Sequence, residues 1–343
     1  ITVVSEGSVG LYPSLAIVNG NPAISYYTLP NENVYYTRSL DTYGSSWSSP
    51  IEVGPHGRYS SLALVSGNPA VAYYDDYAED LMYVRAEDSN GLSWDSPLTV
   101  DSSNDTGREP SLGVVNGRPA IAYFGKAPDM KLKYVRAQDS IGSAWGTPVI
   151  VDDNGWQNRI TLTIVAGKPA VAYTRTVGLS DQLCFTQATD ENGSSWGTPT
   201  IVTESVDAMY EDPWLAVVEG YPAIAYNEDR FDDLFYVRAT NANGSSWGAP
   251  TLVDEEGRTG DDPSLAIVNG LPAISYQEYT VADSNFLRYV RATNSTGSSW
   301  ATPDDVDTSG DTGYDTSLLE IDGHPAIAYH DKFNRDLKFA IYY

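Results

Sequence analysis

One short pattern is repeated seven times along the chain and constrains its fold more than any other feature. The copy at residues 264–276 reads SLAIVNGLPAISY: an apolar run, a turn with Gly and Pro, and a second apolar run that ends in Tyr. The other copies begin at Ser14, Ser61, Ser111, Thr161, Trp214 and Ser317. The turn prolines are spaced 47 to 53 residues apart, at Pro22, Pro69, Pro119, Pro169, Pro222, Pro272 and Pro325. A period of this length is typical of solenoids, propellers and arrays, in which neighbouring repeats share a core.

Each repeat divides into four short apolar segments, which we call strands A to D. In the third copy they are Leu112–Val115, Ala120–Phe124, Leu132–Ala137 and Thr147–Val151. Alternating apolar positions and short turn-rich links predict an antiparallel meander. Seven such meanders around one axis make an all-β, seven-bladed β-propeller, which we expect to occupy the whole chain as one domain.

The termini are predicted to close the ring. We place the repeats at approximately 6–53, 54–100, 101–151, 152–202, 203–253, 254–306 and 307–343 plus 1–5. The last copy lacks strand D, and Thr2–Ser5 resembles the strand D segment Thr251–Asp254. We therefore expect the N-terminal segment to pair with Leu337–Tyr342, which leaves no free sheet edge at that seam.

The formal net charge of −26 limits the possible partners. Nucleic acids and anionic membranes need a basic surface, so neither is expected as a partner. No apolar run approaches membrane-spanning length, so membrane insertion is not expected. The charge fits a secreted or cell-surface protein, a salt-adapted one or a cation binder, and a solvated acidic surface explains it equally. The oligomeric state stays open.

The C–D links share a second pattern: Asp or Asn, two residues, Gly, two residues, Trp. Its tryptophans are Trp47, Trp94, Trp145, Trp196, Trp247 and Trp300. The pattern resembles the Asp box of sialidase-like and lectin-like secreted propellers, with one extra residue before Gly. The resemblance implies a folded turn that packs its aromatic residue and takes no part in catalysis. Sialidases have six blades and an arginine triad, neither of which is found here, so sialidase activity is not expected.

The D–A and B–C links differ between copies, and we call the face that carries them the upper face. The A–B and C–D links, near copies of one another, form the lower face. Two residues before each strand A pattern lies a position expected to ring the upper channel mouth: Tyr12, Tyr59, Glu109, Arg159, Asp212, Asp262 and Asp315. Carboxylates there suit Ca²⁺ or sugar hydroxyls. The alternative is that each caps a turn or binds a backbone amide.

Other upper-face positions also break the repeat. The residue after the strand B Tyr varies and includes Asn227, Gln277 and His330, which suits either a ligand site or a solvated strand end. Trp156 lies in the fourth D–A link, and Trp214 replaces the Ser that opens most A strands. Exposed aromatic faces stack on sugar rings, although Trp214 equally suits a local void.

A second group, on blades two and seven with only blade one between them, contains His56, Arg58, Tyr59 and His330. A His–Tyr–Arg group resembles the one that propeller-fold polysaccharide lyases use, where it implies charge neutralisation and proton transfer. No cofactor is certain. The Asp-rich links at 101–105 and 307–311 make Ca²⁺ the one metal to consider, and no zinc or nucleotide motif is present.

Three functions remain open from the sequence. The first is a secreted propeller that binds a glycan or similar extracellular ligand through its upper face. The second is a carbohydrate-active enzyme, a lyase or a hydrolase. The third is a structural matrix protein that only packs against other chains. The near identity of the copies favours the first and third, because catalysis needs one unlike site.

Overall fold

The computed structural model describes residues 1–126, 130–155, 159–205, 209–230, 232–279 and 285–342. Its strands form seven four-stranded antiparallel sheets, the blades of a β-propeller. Blade 1 contains β2 (Ser8–Val18), β3 (Asn21–Leu29), β4 (Val34–Arg38) and β5 (Ile51–Gly54). Blade 2 contains β6 (Gly57–Val65), β7 (Asn68–Asp75), β8 (Asp80–Arg85) and β9 (Leu98–Asp101). Blade 3 contains β10 (Thr106–Val115), β11 (Arg118–Gly125), β12 (Leu132–Arg136) and β13 (Val149–Asp152).

The remaining blades follow the same order. Blade 4 contains β14 (Thr161–Val165), β15 (Lys168–Val177), β16 (Ser180–Gln187) and β17 (Thr200–Ser205). Blade 5 contains β18 (Tyr210–Val218), β19 (Tyr221–Glu228), β20 (Asp233–Arg238) and β21 (Thr251–Asp254). Blade 6 contains β22 (Arg258–Val268), β23 (Leu271–Tyr279), β24 (Phe286–Arg291) and β25 (Asp304–Asp307). Blade 7 contains β26 (Tyr314–Ile321), β27 (His324–Asp331), β28 (Asp336–Ile341) and β1 (Thr2–Val4).

The first strand of each blade lines the central channel and packs against the first strands of both neighbouring blades. The seven-bladed architecture predicted from the repeat is thus confirmed. No helix in the described part of the chain is long and apolar enough to cross a membrane.

The two ends of the chain close the ring. Strand β1 pairs antiparallel with β28, with Thr2 opposite Lys338 and Val4 opposite Leu337. The Ile1 ammonium donates to the Phe339 carbonyl at 2.7 Å, and the Phe339 amide donates back to the Ile1 carbonyl at 3.0 Å. Blade 7 therefore receives its outermost strand from the N-terminus, as the truncated seventh repeat predicts.

The tryptophans of the C–D links lock neighbouring blades together on the lower face. Each indole Nε1 donates to the carbonyl of the Gly three residues earlier, at 2.8–3.1 Å. Each ring packs edge-on against an aromatic ring of the preceding blade, with centroids 5.1–5.4 Å apart. In one such link Gly142 has φ +81° and a Cβ there would lie 2.6 Å from the Tyr83 ring, so no other residue fits without a shift.

At four of the junctions between neighbouring blades, an Asp of one blade contacts a Tyr and a Lys or Arg of the next. The Asp that ends a fourth strand accepts a hydrogen bond from a Tyr hydroxyl of the next blade at 2.5–2.7 Å, and a Lys or Arg of that blade lies 2.7–3.5 Å away. The four sets are Asp101, Tyr123 and Lys133; Asp152, Tyr173 and Arg175; Asp254, Tyr276 and Arg288; and Asp307, Tyr329 and Lys338.

The other three junctions lack both charges. At those junctions the position of the outermost strand where the other blades have Asp is occupied by Val4, Gly54 or Thr203. The third-strand residue that lies opposite the second-strand Tyr is Tyr35, Met82 or Phe235, none of which is charged. Acid and base are therefore present together or absent together. That is the pattern expected when an unpaired charge is costly to bury.

Candidate functional site

The upper mouth of the channel opens into a cavity of about 240 Å³. Its wall contains Tyr12, Tyr59, Glu109, Arg159 and Trp214, above a layer of Ser, Thr and Leu side chains from the first strands. Glu109 is the single carboxyl and Arg159 the single cation among the lining residues that the structure describes. The cavity therefore combines aromatic surface with a few polar groups, the usual makeup of a small-ligand site.

A backbone irregularity positions the ring of residues at this mouth. Six of the seven ring residues have left-handed φ angles between +46° and +56°: Tyr12, Tyr59, Glu109, Asp212, Asp262 and Asp315. In each of these blades the pairing of the first and second strands shifts register across the ring residue. Bulges of this kind re-aim a side chain. Blade 4 departs from the pattern, because β14 begins only at Thr161, two residues after Arg159.

Below the ring, a layer of hydroxyls ties the first strands together. In five blades a Ser Oγ accepts the backbone N–H of a Leu in the following blade at 2.9–3.0 Å: Ser14, Ser61, Ser111, Ser264 and Ser317. Blade 4 has Thr161, whose hydroxyl donates to the Pro213 carbonyl at 3.2 Å. Blade 5 has Trp214, so an indole occupies the cavity wall at a position where the six other blades carry a small hydroxyl.

Aromatic rings form two parts of the cavity wall. The rings of Tyr12 and Tyr59 meet edge to face with centroids 4.8 Å apart. The Arg159 guanidinium lies over the Trp214 ring, with its carbon 5.4 Å from the ring centroid. Such a contact holds both side chains in place.

The three aspartates of the acidic arc bind neighbouring backbone. Asp315 Oδ2 accepts the Tyr12 amide at 3.1 Å, and Asp262 Oδ2 accepts the Asp315 amide at 2.9 Å. Asp212 Oδ1 accepts the Arg159 amide at 3.4 Å. None of the three lines the cavity. The structure thus brings Asp212, Asp262 and Asp315 into the ring but assigns each a backbone amide of an adjacent blade.

The ring carboxyls have unusual proton affinities. Burial raises the pKa of Glu109 to about 8; Arg159 opposes this shift, and Asp212 adds to it. Burial and the charge of Asp262 also raise the pKa values of Asp212 and Asp315. Glu109 is therefore largely protonated at neutral pH, and its carboxyl can both donate and accept a hydrogen bond.

Arg159 remains a cation in the cavity wall. Burial alone would lower its pKa, but Asp262 and Asp212 raise it. Its Nη2 lies 4.0 Å from Asp262 Oδ1, and its side chain is 13% exposed. Its Nη1 is buried and has no hydrogen-bond partner. A buried donor without an acceptor is costly, but a ligand oxygen would reach this atom only after the side chain moves.

The polar residues at the second-strand ends lie between blades rather than in the cavity. Asn227 and Gln277 donate to the carbonyls of Thr259 and Thr312 in the following blade, at 2.8 and 3.1 Å. His330 Nδ1 lies 3.0 Å from the Val9 carbonyl, and burial lowers its pKa. Asn227, Gln277 and His330 are 1%, 2% and 6% exposed, so a ligand in the channel would not reach them without rearrangement.

The residues suggested for a lyase are not brought together. Arg58 forms ion pairs with Glu32 and with Asp76, the latter at 3.4 Å. His56 is exposed, and its ring centroid lies 5.4 Å from that of Tyr77. Neither His56 nor His330 lines the cavity, whereas Tyr59 does.

Two further predictions are not decided by the described residues. Trp156 lies outside them, so its proposed contact with a ligand stays a prediction. No group of three or more His, Cys, Asp or Glu side chains that could hold a metal ion occurs in the described ranges. Ca²⁺ binding likewise remains a prediction.

Glu109 and Tyr12 line the cavity but were not among the ligand-binding residues predicted from the sequence. Both occupy the ring position, whereas the predicted site was centred on the acidic residues of blades 5 to 7. The signal that points to Glu109 is its isolation, because it is a carboxyl flanked in the ring by Tyr59 and Arg159 rather than by other acids.

Comparison with known proteins places the chain by its fold. No protein-family model matches it, and no curated protein matches it. It is similar to a protein of unknown function from Dyadobacter fermentans DSM 18053, with a TM-score of 0.62, 11% identity, and coverage of 96% of this chain and 93% of that one.

Two similar structures are carbohydrate-active enzymes. One is the α-L-arabinanase of Penicillium chrysogenum in complex with arabinobiose, with a TM-score of 0.55, 13% identity, and coverage of 100% of this chain and 97% of that one. The other is the NanB sialidase of Streptococcus pneumoniae, with a TM-score of 0.51, 11% identity, and coverage of 99% and 68%. At such low identity the similarity establishes the propeller fold, and function has to be argued from the site.

Proposed function

We propose that this protein binds a carbohydrate in the cavity at the upper mouth of its channel. The observation that carries the proposal is the unlike lining of that mouth in an otherwise repetitive molecule. The ring position holds two Tyr, a Glu and an Arg around the cavity, and Trp214 replaces the hydroxyl layer at one point. Aromatic faces give contact area for a sugar ring, and the polar groups orient its hydroxyls.

The hydrogen-bonding capacity of the cavity also suits a sugar. A protonated Glu109 can donate and accept, the Arg159 guanidinium can only donate, and a sugar hydroxyl satisfies both. The arabinanase, which was solved with arabinobiose, and the sialidase are similar to this chain in structure and are carbohydrate enzymes, which adds support to this ligand class.

Binding is better supported than catalysis. Glycoside hydrolysis commonly uses two carboxyl groups on either side of the scissile bond. Glu109 is the only carboxyl among the described cavity residues, and Asp212, Asp262 and Asp315 each hold a backbone amide. A lyase centred on His56 or His330 would lie away from the cavity. We include secretion or cell-surface location in the proposal, because an extracellular glycan requires it.

The test uses Trp214→Ser, which installs the residue that five other blades carry. In blade 6 the Ser264 hydroxyl accepts the backbone N–H of Leu318 in the next blade. The introduced serine should accept the Leu265 amide in the same way, so the fold should persist by circular dichroism. Binding to the strongest ligand on a glycan array should weaken by about 1–3 kcal/mol, the usual loss for a buried aromatic contact. The matched control is Trp94→Phe, a lower-face change that should leave affinity unaltered.

Two outcomes would overturn the proposal. If no glycan binds the wild-type protein, with or without Ca²⁺, a structural role becomes the better explanation. If Trp214→Ser binds as tightly as wild type, the ligand lies elsewhere. Release of reducing sugar or of unsaturated uronate from a bound glycan would instead identify the protein as an enzyme.

A further inference from the structure

We propose that the cavity selects an uncharged sugar over a uronic acid. This inference rests on the proposed function, because it names the class of carbohydrate that the same site accepts. It depends on how the charges around Arg159 and Glu109 are arranged.

The charge of Arg159 is already balanced by the protein. Asp262 Oδ1 lies 4.0 Å from its Nη2, and, against the effect of burial, the charges of Asp262 and Asp212 raise the pKa of the guanidinium. A ligand carboxylate close enough to use Arg159 would therefore also approach two aspartates. It would have to leave water as well, which costs more than pairing with a shared cation returns.

An uncharged sugar fits these groups without that penalty. Its hydroxyls can accept from the Arg159 guanidinium and can donate to or accept from the Glu109 carboxyl. Its apolar face can lie against Trp214 or the tyrosine pair. The balanced Arg159 thus acts as a fixed hydrogen-bond donor for a hydroxyl rather than as an anion receptor.

The first experiment compares two classes on one glycan array that presents uncharged and uronic-acid-containing oligosaccharides. The strongest uncharged glycan and its uronic acid analogue are then titrated calorimetrically. We expect the uncharged form to bind at least tenfold tighter, with an affinity that does not change between about 50 mM and 500 mM salt, because ionic strength screens charged contacts only. A uronate that binds as tightly or more tightly would overturn the inference and leave the proposed function intact. An array with no bound glycan would overturn both.

The second experiment changes the balance of charge with Asp262→Asn. The amide retains an acceptor for the Asp315 backbone N–H but removes the carboxylate nearest to the Arg159 guanidinium. The ratio of uronate affinity to uncharged-sugar affinity should rise at least fivefold in this variant. Glu320→Gln, a charge-matched change at a residue that is not among those lining the cavity, should leave that ratio as in wild type. An unchanged ratio in a folded Asp262→Asn variant would contradict the charge-balance argument.

Discussion

The buried contact between blades 2 and 3 allows a quantitative test of why the junctions carry both charges or neither. In Lys133→Met, the Asp101 carboxylate loses its cation, while Ser103 and the Tyr123 hydroxyl still donate to it. The Lys133 and Asp101 side chains are 8% and 6% exposed, so water cannot readily replace the ammonium. Breaking a buried ion pair costs about 3–5 kcal/mol. Because Ser103 and Tyr123 still donate to Asp101, we expect Lys133→Met to lower the free energy of unfolding by about 3 kcal/mol.

The chain itself supplies the matched control. The junction between blades 1 and 2 has Gly54 and Met82 at the corresponding positions. The double variant Asp101→Gly with Lys133→Met reproduces that arrangement. It removes the uncompensated charge, so it should cost about 1–3 kcal/mol, chiefly for the Tyr123 hydroxyl left without a partner.

The assay is urea unfolding at pH 7, followed by tyrosine and tryptophan fluorescence, for wild type, both single variants and the double variant. The cycle should give a coupling energy of about 2–3 kcal/mol between residues 101 and 133. Additive losses would refute the reasoning, because they would mean that each charge is stabilised independently of the other.

Three further outcomes follow from the structure. Trp94→Ala should lower the free energy of unfolding by about 3–5 kcal/mol without changing ligand preference, because the ring packs on Tyr36 of the preceding blade; altered preference at full stability would count against a scaffold role. Glu109 holds a proton in the folded protein that the unfolded chain releases near the ordinary pKa of a glutamate. The native state therefore binds more protons between about pH 4.5 and 8, and the free energy of unfolding should fall as pH rises through that range. Glu109→Gln should remove this pH dependence, and identical pH profiles of stability for the variant and wild type would refute it. Deletion of residues 1–4 should lower the melting temperature by several degrees, because β28 loses its outer partner; an unchanged melting temperature would contradict closure by the termini.

The repeat was enough to predict the architecture, because seven equal units that share a core have few ways to pack. Even the exchange of strands at the termini followed from counting segments in the last copy. The ring of residues at the channel mouth was also predictable, since a fixed position in a propeller repeat recurs at the same height around the axis.

The orientation of the side chains was not predictable from spacing. The acidic arc looked like a ligand surface, yet left-handed bulges direct Asp262 and Asp315 onto backbone amides of the next blade. Asn227 and Gln277 likewise serve carbonyls across a blade junction. Contacts between blades depend on three-dimensional neighbours some 30 to 50 residues apart in sequence, which a single repeat does not reveal.

The most direct test of the central claim is a crystal structure of the protein with the strongest glycan from the array. We predict a sugar ring in the cavity at the upper channel mouth, with a hydroxyl within hydrogen-bond distance of the Arg159 guanidinium and an apolar face against Trp214 or the tyrosine pair. A glycan bound at the lower face, against the turn at residues 91–94, would contradict it.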